Sequence, residues 1–537
     1  MSFLLFFISF FIVAGAQPDW SPLLCILASS LGYALFWYAI KKIESEKKRF
    51  WLSLFWFATI QAIQLNWLLA DRYMGPLIYP FSILLFSVLG LQFAALSYFV
   101  LSTKTYTIHS LLGLSGGWFL LEWSRLYFFS GFSWNPVGLA LTGTHYGMQG
   151  VALFGVLGLS FFLVFTNLLA LKMFQKFSKK TIFVWMGVVS LPYLWGGVHT
   201  TWHTKKSQES NSSAFSVVLV QTALAPEQKI FLSSTQKELP LSPVAQWERI
   251  IQLIYPYQGQ PIDFIVLSEG AVPYGTAPPI YDGGATSRFF HTLFGIGQES
   301  ASRVGNQFWI QNIADAFHAN VIIGLEDTDQ EGGEIKHYNA GFLFRPFDSH
   351  TERYEKRILL PIAEYFPFHW CEQIAARFEI AGCFTPGKEA KVFHTEKGGV
   401  ALSICYEETY GNLMRENKKK GAHLLVNISN DVWYPYSRLP MVHFLHGRLR
   451  AVENGLPLVR SCNTGVTCGV DSLGKTVEMV DYERRGHASC ATALHVQVPS
   501  YQYSTLYTQV GDSPLIYGSL ICFGWMFYRR RVLSCKK

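Results

Sequence analysis

The chain changes character near residue 200. Before it, apolar runs at about 2–16, 20–40, 51–70, 76–101, 108–128, 150–171 and 181–198 follow one another with short polar breaks, and an eighth covers 513–528. A helix needs roughly 20 mostly apolar residues to cross a bilayer, so these read as eight membrane spans, the first and last short. The intervening stretch has a different pattern. Apolar, β-branched runs at 215–222, 262–269, 320–325, 338–345, 398–405, 423–430, 457–470 and 491–498 each end in turn or polar residues, and helical patterns lie at 243–255 and 301–317. That alternation predicts a mixed α/β domain with strands buried beneath helices. The expected organisation is about seven spans in 1–198, a polar linker over 199–214, the α/β domain over 215–510, a span over 511–528 and a basic tail over 529–537.

Composition sharpens the contrast. Half of the 537 residues are hydrophobic and only 15% are charged, well under the roughly 25% of a soluble protein. The net charge of +7 lies largely in clusters beside apolar runs, which argues against a nucleic-acid partner. Lys41, Lys42, Lys47, Lys48 and Arg49 follow the second run, Lys172, Lys176, Lys179 and Lys180 the sixth, and Arg529, Arg530 and Arg531 the last; 129–149 has no Lys or Arg. Basic loops stay in the cytoplasm. With eight spans, every cluster falls on that side, both termini are cytoplasmic and 199–512 lies outside. Ala14-Gly15-Ala16 resembles a signal-peptidase site, but no basic segment precedes the first run and another follows at once, so it is read as a retained helix.

Candidate chemistry concentrates at three strand ends. Val266-Leu267-Ser268-Glu269 closes one strand, Tyr354-Glu355-Lys356-Arg357 leads into Leu360-Pro361-Ile362-Ala363-Glu364-Tyr365-Phe366-Pro367, and Ser403-Ile404-Cys405-Tyr406-Glu407 ends another. A thiol attacks an acyl group as thiolate, so it needs a base and a fixed positive charge beside it. The nine cysteines form no disulfide framework and their spacing suggests no metal site. Cys371, Cys383, Cys462, Cys468 and Cys490 are read mainly as small buried thiols. Segments 275–297 and 366–383, with Phe289, Phe290, Leu293 and Phe294 in one and Phe366, Phe368, Trp370 and Phe378 in the other, have the composition of lids, or of ordinary core.

Glu, Lys and Cys in that order and in those contexts resemble the nitrilase superfamily. The membrane frame narrows the resemblance to its apolipoprotein N-acyltransferase family. Glu122-Trp123-Ser124-Arg125 and Gly131-Phe132-Ser133-Trp134 are similar to that family's EWLR and GFPW stretches. Further similar segments are Val220-Gln221, Tyr338-Asn339, Phe384-Thr385-Pro386-Gly387, Ser429-Asn430-Asp431-Val432-Trp433 and Arg448 to Glu453. The family's PFGEYVP lacks its glycine here, with Ala363 before Glu364; Ile230 or Phe231 stands where a Trp is usual; Tyr434-Pro435 replaces Phe-Gly.

The resemblance implies a multi-span helical membrane domain plus a four-layer αββα sandwich. It assigns Cys405 as nucleophile, Glu269 as general base and Lys356, with the Tyr406 N–H, as oxyanion stabiliser. Glu364 orients these groups, Asn339 positions Lys356, Glu407 supports the thioester or acceptor, and Trp433 lines the acyl groove. No cofactor is implied. The expected donor is a phospholipid, the acceptor the α-amine of a diacylglyceryl-modified apolipoprotein, and the place the outer side of the bacterial cytoplasmic membrane. A membrane-tethered amidohydrolase and a transporter with an accessory domain are the alternatives. Against the second, the spans carry few charges beyond Glu122 and Arg125.

Overall fold

A computed structural model describes residues 2–535 apart from 129, 211–212, 231–238, 297–299, 332, 362, 367–372, 374–383 and 482–489. It divides into two compact units, one of Met1–Glu209 with Val452–Gly455 and Ser504–Lys537, the other of Ser210–Ala451 with Leu456–Tyr503.

The first unit is helical. Among the described residues, four of its helices are long and apolar enough to cross a membrane: Pro22–Ile40, Ile78–Leu101, Val151–Gln175 and Lys179–Glu209. At the other expected spans lie Ser2–Ala14, Glu46–Gln64, Ile108–Ser124 and Ser513–Cys535, which are shorter or carry a charged end. Helices approach closely where a side chain is missing: a Cβ on Gly116 would come within 2.9 Å of the Ser519 Cα, the close approach small residues permit between membrane helices.

Polar side chains inside this unit repair irregular backbone. The Pro22–Ile40 helix opens into a π turn at Ala28–Gly32. There the Asn167 amide accepts from the Tyr33 and Ala34 N–H groups and donates to the Ala28 and Ser29 carbonyls. Glu122 accepts the Val137 N–H at 2.9 Å, and Ser160 accepts that of Gly138, at the start of the 3-10 segment Val137–Gly143. Unpaired backbone is costly without water. The Glu122 to Trp134 motif therefore has a visible local task.

The expected linker is corrected by the structure: helix Lys179–Glu209 runs through most of 199–214. Lys, Gln and Glu extend an existing helix readily, and Lys206 pairs with Glu209 at 3.3 Å.

The second unit holds two six-stranded sheets. One runs, in spatial order, Thr492–Pro499, Ala214–Gln221, Phe264–Val266, Asn320–Glu331, Glu334–Phe344 and Glu352–Glu355; the other Thr476–Met479, Cys468–Val470, Leu458–Cys462, Ala422–Ser429, Gly398–Ile404 and Val392–Thr395. Successive residues of a strand face opposite ways. Val217 and Leu219 accordingly face Leu402, Val426 and Val459 between the sheets, while Val218 and Val220 pack with Trp247, Ile250, Ile310 and Ile313 of helices Pro243–Ile254 and Asn306–Phe317. Helices Gly411–Lys419 and Leu439–Asn454 accompany the second sheet. This is the nitrilase-like sandwich.

One sequence expectation is extended and one open alternative is decided. The hairpin of Asn320–Glu331 with Glu334–Phe344 extends well past the predicted 320–325, because its outer rungs are polar. Arg353 ties them together through Asp327, Asp329 and Glu355 and lies over the Tyr338 ring. The first lid candidate is core: Gly283–Phe294 is a helix whose Phe290 is fully buried, with Phe289 and Phe290 against Trp309. Of the second candidate, 367–372 and 374–383 lie outside the described residues, as do Phe231, Cys371 and Cys383.

Gly324 couples the sheet to the site. A Cβ there would lie 2.7 Å from the Glu269 Cα and 3.0 Å from the Ser268 carbonyl oxygen. Backbone cannot swing aside as a side chain can, so Gly324→Ala is expected to cost about 1–3 kcal/mol. Thermal unfolding in detergent, with activity followed in parallel, checks this; an unchanged midpoint contradicts it.

Candidate active site

Lys356 lies directly beyond strand Glu352–Glu355, its N–H bonded to the Asn339 carbonyl at 2.8 Å. Its side chain is only 2% exposed. The ammonium lies 2.7 Å from Glu364 Oε1 and 3.3 Å from Glu269 Oε1. Asn339 bridges the same two carboxylates, its amide donating to Glu269 at 2.7 Å and Glu364 at 2.9 Å. Glu364 is held in turn by the Leu360 N–H. Burial opposes the Lys356 charge, but Glu269, Glu364 and Cys405 outweigh it and hold the ammonium well above the ordinary lysine value. It is a fixed cation.

Cys405 follows strand Gly398–Ile404 and opens a 3-10 turn. Its φ of 52° lies in the left-handed region, an unfavourable place for a residue with a Cβ. Side chains hold it there. The Glu407 carboxylate, fully buried, accepts from the Ile404, Arg357 and Ile358 N–H groups and from the Tyr354 hydroxyl. Glu407 thus clamps the cysteine turn to the segment that carries Lys356. The Cys405 thiol is half-buried. Burial and the Glu269 charge push it well above the usual thiol value, Asp431 and Glu364 add to that, and Lys356 pulls the other way. The resting sulfur keeps its proton, so attack on an acyl group requires a base as it occurs.

Of the residues singled out from sequence, Glu269, Lys356, Glu364, Asn339 and Cys405 come together, with Glu407 behind them. Tyr406 is buried and its hydroxyl accepts from Tyr410 at 2.7 Å. Trp433 is half-buried on the turn Asp431–Trp433; it is its neighbour Tyr434 whose hydroxyl feels the Cys405 charge and is raised, chiefly by burial. Cys462 and Cys468 are buried free thiols, and Cys490 is half-buried.

The carbon-nitrogen hydrolase family model matches residues 235–497, and the apolipoprotein N-acyltransferase N-terminal domain model matches 9–169. A protein of Chlamydia caviae named apolipoprotein N-acyltransferase is 34% identical over 99% of this chain and 98% of its own. The chain belongs to the apolipoprotein N-acyltransferase family. A relative of the same name from Chlamydia trachomatis is 34% identical over 95% of this chain and 93% of its own. Among solved structures, Saccharomyces cerevisiae Nit3 aligns with 53% of this chain and 90% of its own at 18% identity and a TM-score of 0.36.

One buried cation of this family member escaped sequence reasoning, since a lone lysine ordinarily reads as solvated. Lys229, on the short helix Pro226–Lys229, donates to the Gly270 carbonyl at 2.7 Å, one residue past Glu269. Burial pushes its amine down to about 7, against the pull of Glu269. The unfolded chain holds that proton to about pH 10.4, so between these values unfolding takes up a proton and stability rises with pH. The unfolding midpoint of the native protein should therefore gain on that of Lys229→Met as pH rises from about 7 to about 9. A pH-independent gap contradicts the buried amine.

Proposed function

We propose that this protein moves a fatty acyl chain from a phospholipid, through a Cys405 thioester, to the α-amine of an apolipoprotein's diacylglyceryl-cysteine. The observation that carries this reading is the grouping of the half-buried Cys405 turn with the caged Lys356 and Glu269. Family membership over nearly the whole chain supports it.

In the first half-reaction the Cys405 sulfur attacks the ester carbonyl while Glu269 takes the thiol proton. The oxyanion develops beside the Lys356 ammonium, with the Tyr406 N–H as second donor. Collapse of the intermediate breaks the ester C–O bond, and Glu269 returns the proton to the departing lysophospholipid oxygen. In the second, the acceptor amine attacks the thioester, Glu269 takes the amine proton, and the cysteine sulfur leaves and is reprotonated. Glu364 and Asn339 keep Lys356 in place, and Glu407 keeps the Cys405 turn. The apolar helices and the basic clusters at 41–49, 172–180 and 529–531 support a multi-pass protein of the bacterial cytoplasmic membrane with its α/β domain outside. The hydrolase alternative has less support, because the N-terminal half also matches the acyltransferase family.

Intact-mass measurement of purified protein mixed with phospholipid alone should show one added acyl group, absent in Cys405→Ala. Transfer to a lipopeptide by a folded Cys405→Ala variant overturns the mechanism. Glu269→Gln and Lys356→Ala should each lower kcat by about 10²-fold or more while phospholipid binding changes little; near-normal turnover in either removes that residue's role.

Orientation is checked separately. In intact cells an impermeant thiol reagent should label a single cysteine placed at 205–210 and miss one placed at 41–49. The reverse pattern would deprive the chemistry of an exported acceptor.

A further inference from the structure

Beneath Cys405 lies a buried charged cluster that the acyl-transfer steps leave unused. His443, on helix Leu439–Asn454, is 1% exposed. One ring nitrogen, Nδ1, lies 2.9 Å from Asp431 Oδ1; the other, Nε2, lies 3.0 Å from the Cys405 carbonyl oxygen. Glu408 Oε1 is 3.1 Å from the same Nε2 and 2.7 Å from Arg460 Nη1. Arg450, farther along the helix, donates to the Thr409 carbonyl.

The partners fix the protonation of the ring. A peptide carbonyl only accepts hydrogen bonds, and an ionised carboxylate only accepts. The Ser429 hydroxyl donates to Asp431 Oδ1 at 3.2 Å, so the carboxyl oxygen that faces the ring is an acceptor. Both ring nitrogens of His443 then carry hydrogen. The ring is an imidazolium.

We infer that His443 is a positioning residue for the nucleophile, pinning the Cys405 carbonyl in its left-handed turn and cancelling the Asp431 charge that otherwise faces the thiol. This rests on Cys405 being the nucleophile. Two side chains hold that carbonyl, since Asn427 also donates to it, at 3.3 Å. The charge matters because Asp431 raises the cost of forming a thiolate at Cys405. A neutral neighbour in place of His443 would leave that carboxylate uncompensated. The groups that set the balance are Asp431 and Glu408, Arg450 and Arg460 around the ring, and Glu269, Lys356, Glu364 and Asp431 around the sulfur, with the Tyr434 hydroxyl close by.

The test reads the thiol directly. Iodoacetamide alkylation of Cys405 in the full-length protein, followed by peptide mass against pH, gives its apparent pKa without any acyl donor. His443→Gln keeps an N–H donor but drops the charge. It should raise that pKa by about one unit or more and slow acyl-enzyme formation about 10-fold, with the KM for phospholipid nearly unchanged. Adding Asp431→Asn should bring the pKa back toward the native value. An unchanged profile in His443→Gln, or a double variant no closer to native, overturns the inference. If His443→Gln does not fold, nitrogen NMR of native protein with labelled histidine decides: one ring should carry hydrogen on both nitrogens under the conditions of the alkylation assay, as its two acceptor partners require. Its absence overturns the inference. Native protein that alkylates as expected but forms no acyl-enzyme would sink only the acyltransferase mechanism.

Discussion

A buried ammonium is hard to keep charged, and the site is built around keeping one. Lys356 has two carboxylates within 3.3 Å, and desolvating three charged groups costs several kcal/mol per ion unless geometry and further hydrogen bonds repay it. The further bonds are present. Asn339 donates to both carboxylates, and the Leu360 N–H takes the second oxygen of Glu364. With the cage satisfied, the ammonium has no freedom to drift, which is what stabilising a developing oxyanion requires. The sheet serves the same end. Gly324 lets strand Asn320–Glu331 pass against the Glu269 backbone, and the Asn339 carbonyl fixes Lys356 through its main chain.

The thiol is the counterpart of that cage. Its proton is held by burial and by Glu269, so a reactive anion does not persist between turnovers. In the proposed mechanism an acyl carbonyl places its oxygen near Lys356, and only then does proton transfer to Glu269 become downhill. A site of this kind discriminates by requiring substrate to complete it, and Glu407, by joining the Cys405 turn to the Lys356 segment through four donors, keeps the two halves from being set independently.

How much of this was legible in the chain depends on how local each signal is. Strand ends are local: an apolar run stopping at Ser268-Glu269 or Ile404-Cys405 marks where a side chain leaves the sheet, and the triad candidates were found that way. Glu364 and Asn339 needed the family likeness, since nothing in sequence says that residues 25 apart share a carboxylate–amide bond. Lys229 and His443 were missed for the opposite reason. Each looks like an ordinary surface or helix residue, and its meaning comes from one backbone carbonyl brought to it by the fold. The aromatic run at 289–294 stayed open between lid and core because the two share a composition; the contacts with Trp309 separate them.

The helical unit shows the same dependence on non-local polar bonds under a stricter constraint. In hydrocarbon an open backbone group has no water to fall back on. The π turn at Ala28–Gly32 and the 3-10 segment at Val137–Gly143 are therefore held by bonds that Asn167, Glu122 and Ser160 supply from other helices. Asn135 adds a further link, donating to both Gln61 and Gln64. Hydropathy places the helices but is blind to these residues, which it scores as interruptions. In both units the polar groups that least resemble their surroundings are the ones that fix irregular backbone: Glu122 and Asn167 among helices, Glu407 and His443 beneath the cysteine. A buried polar side chain with its bonds directed at main chain is thus a better guide to where this fold departs from regular structure than any apolar pattern.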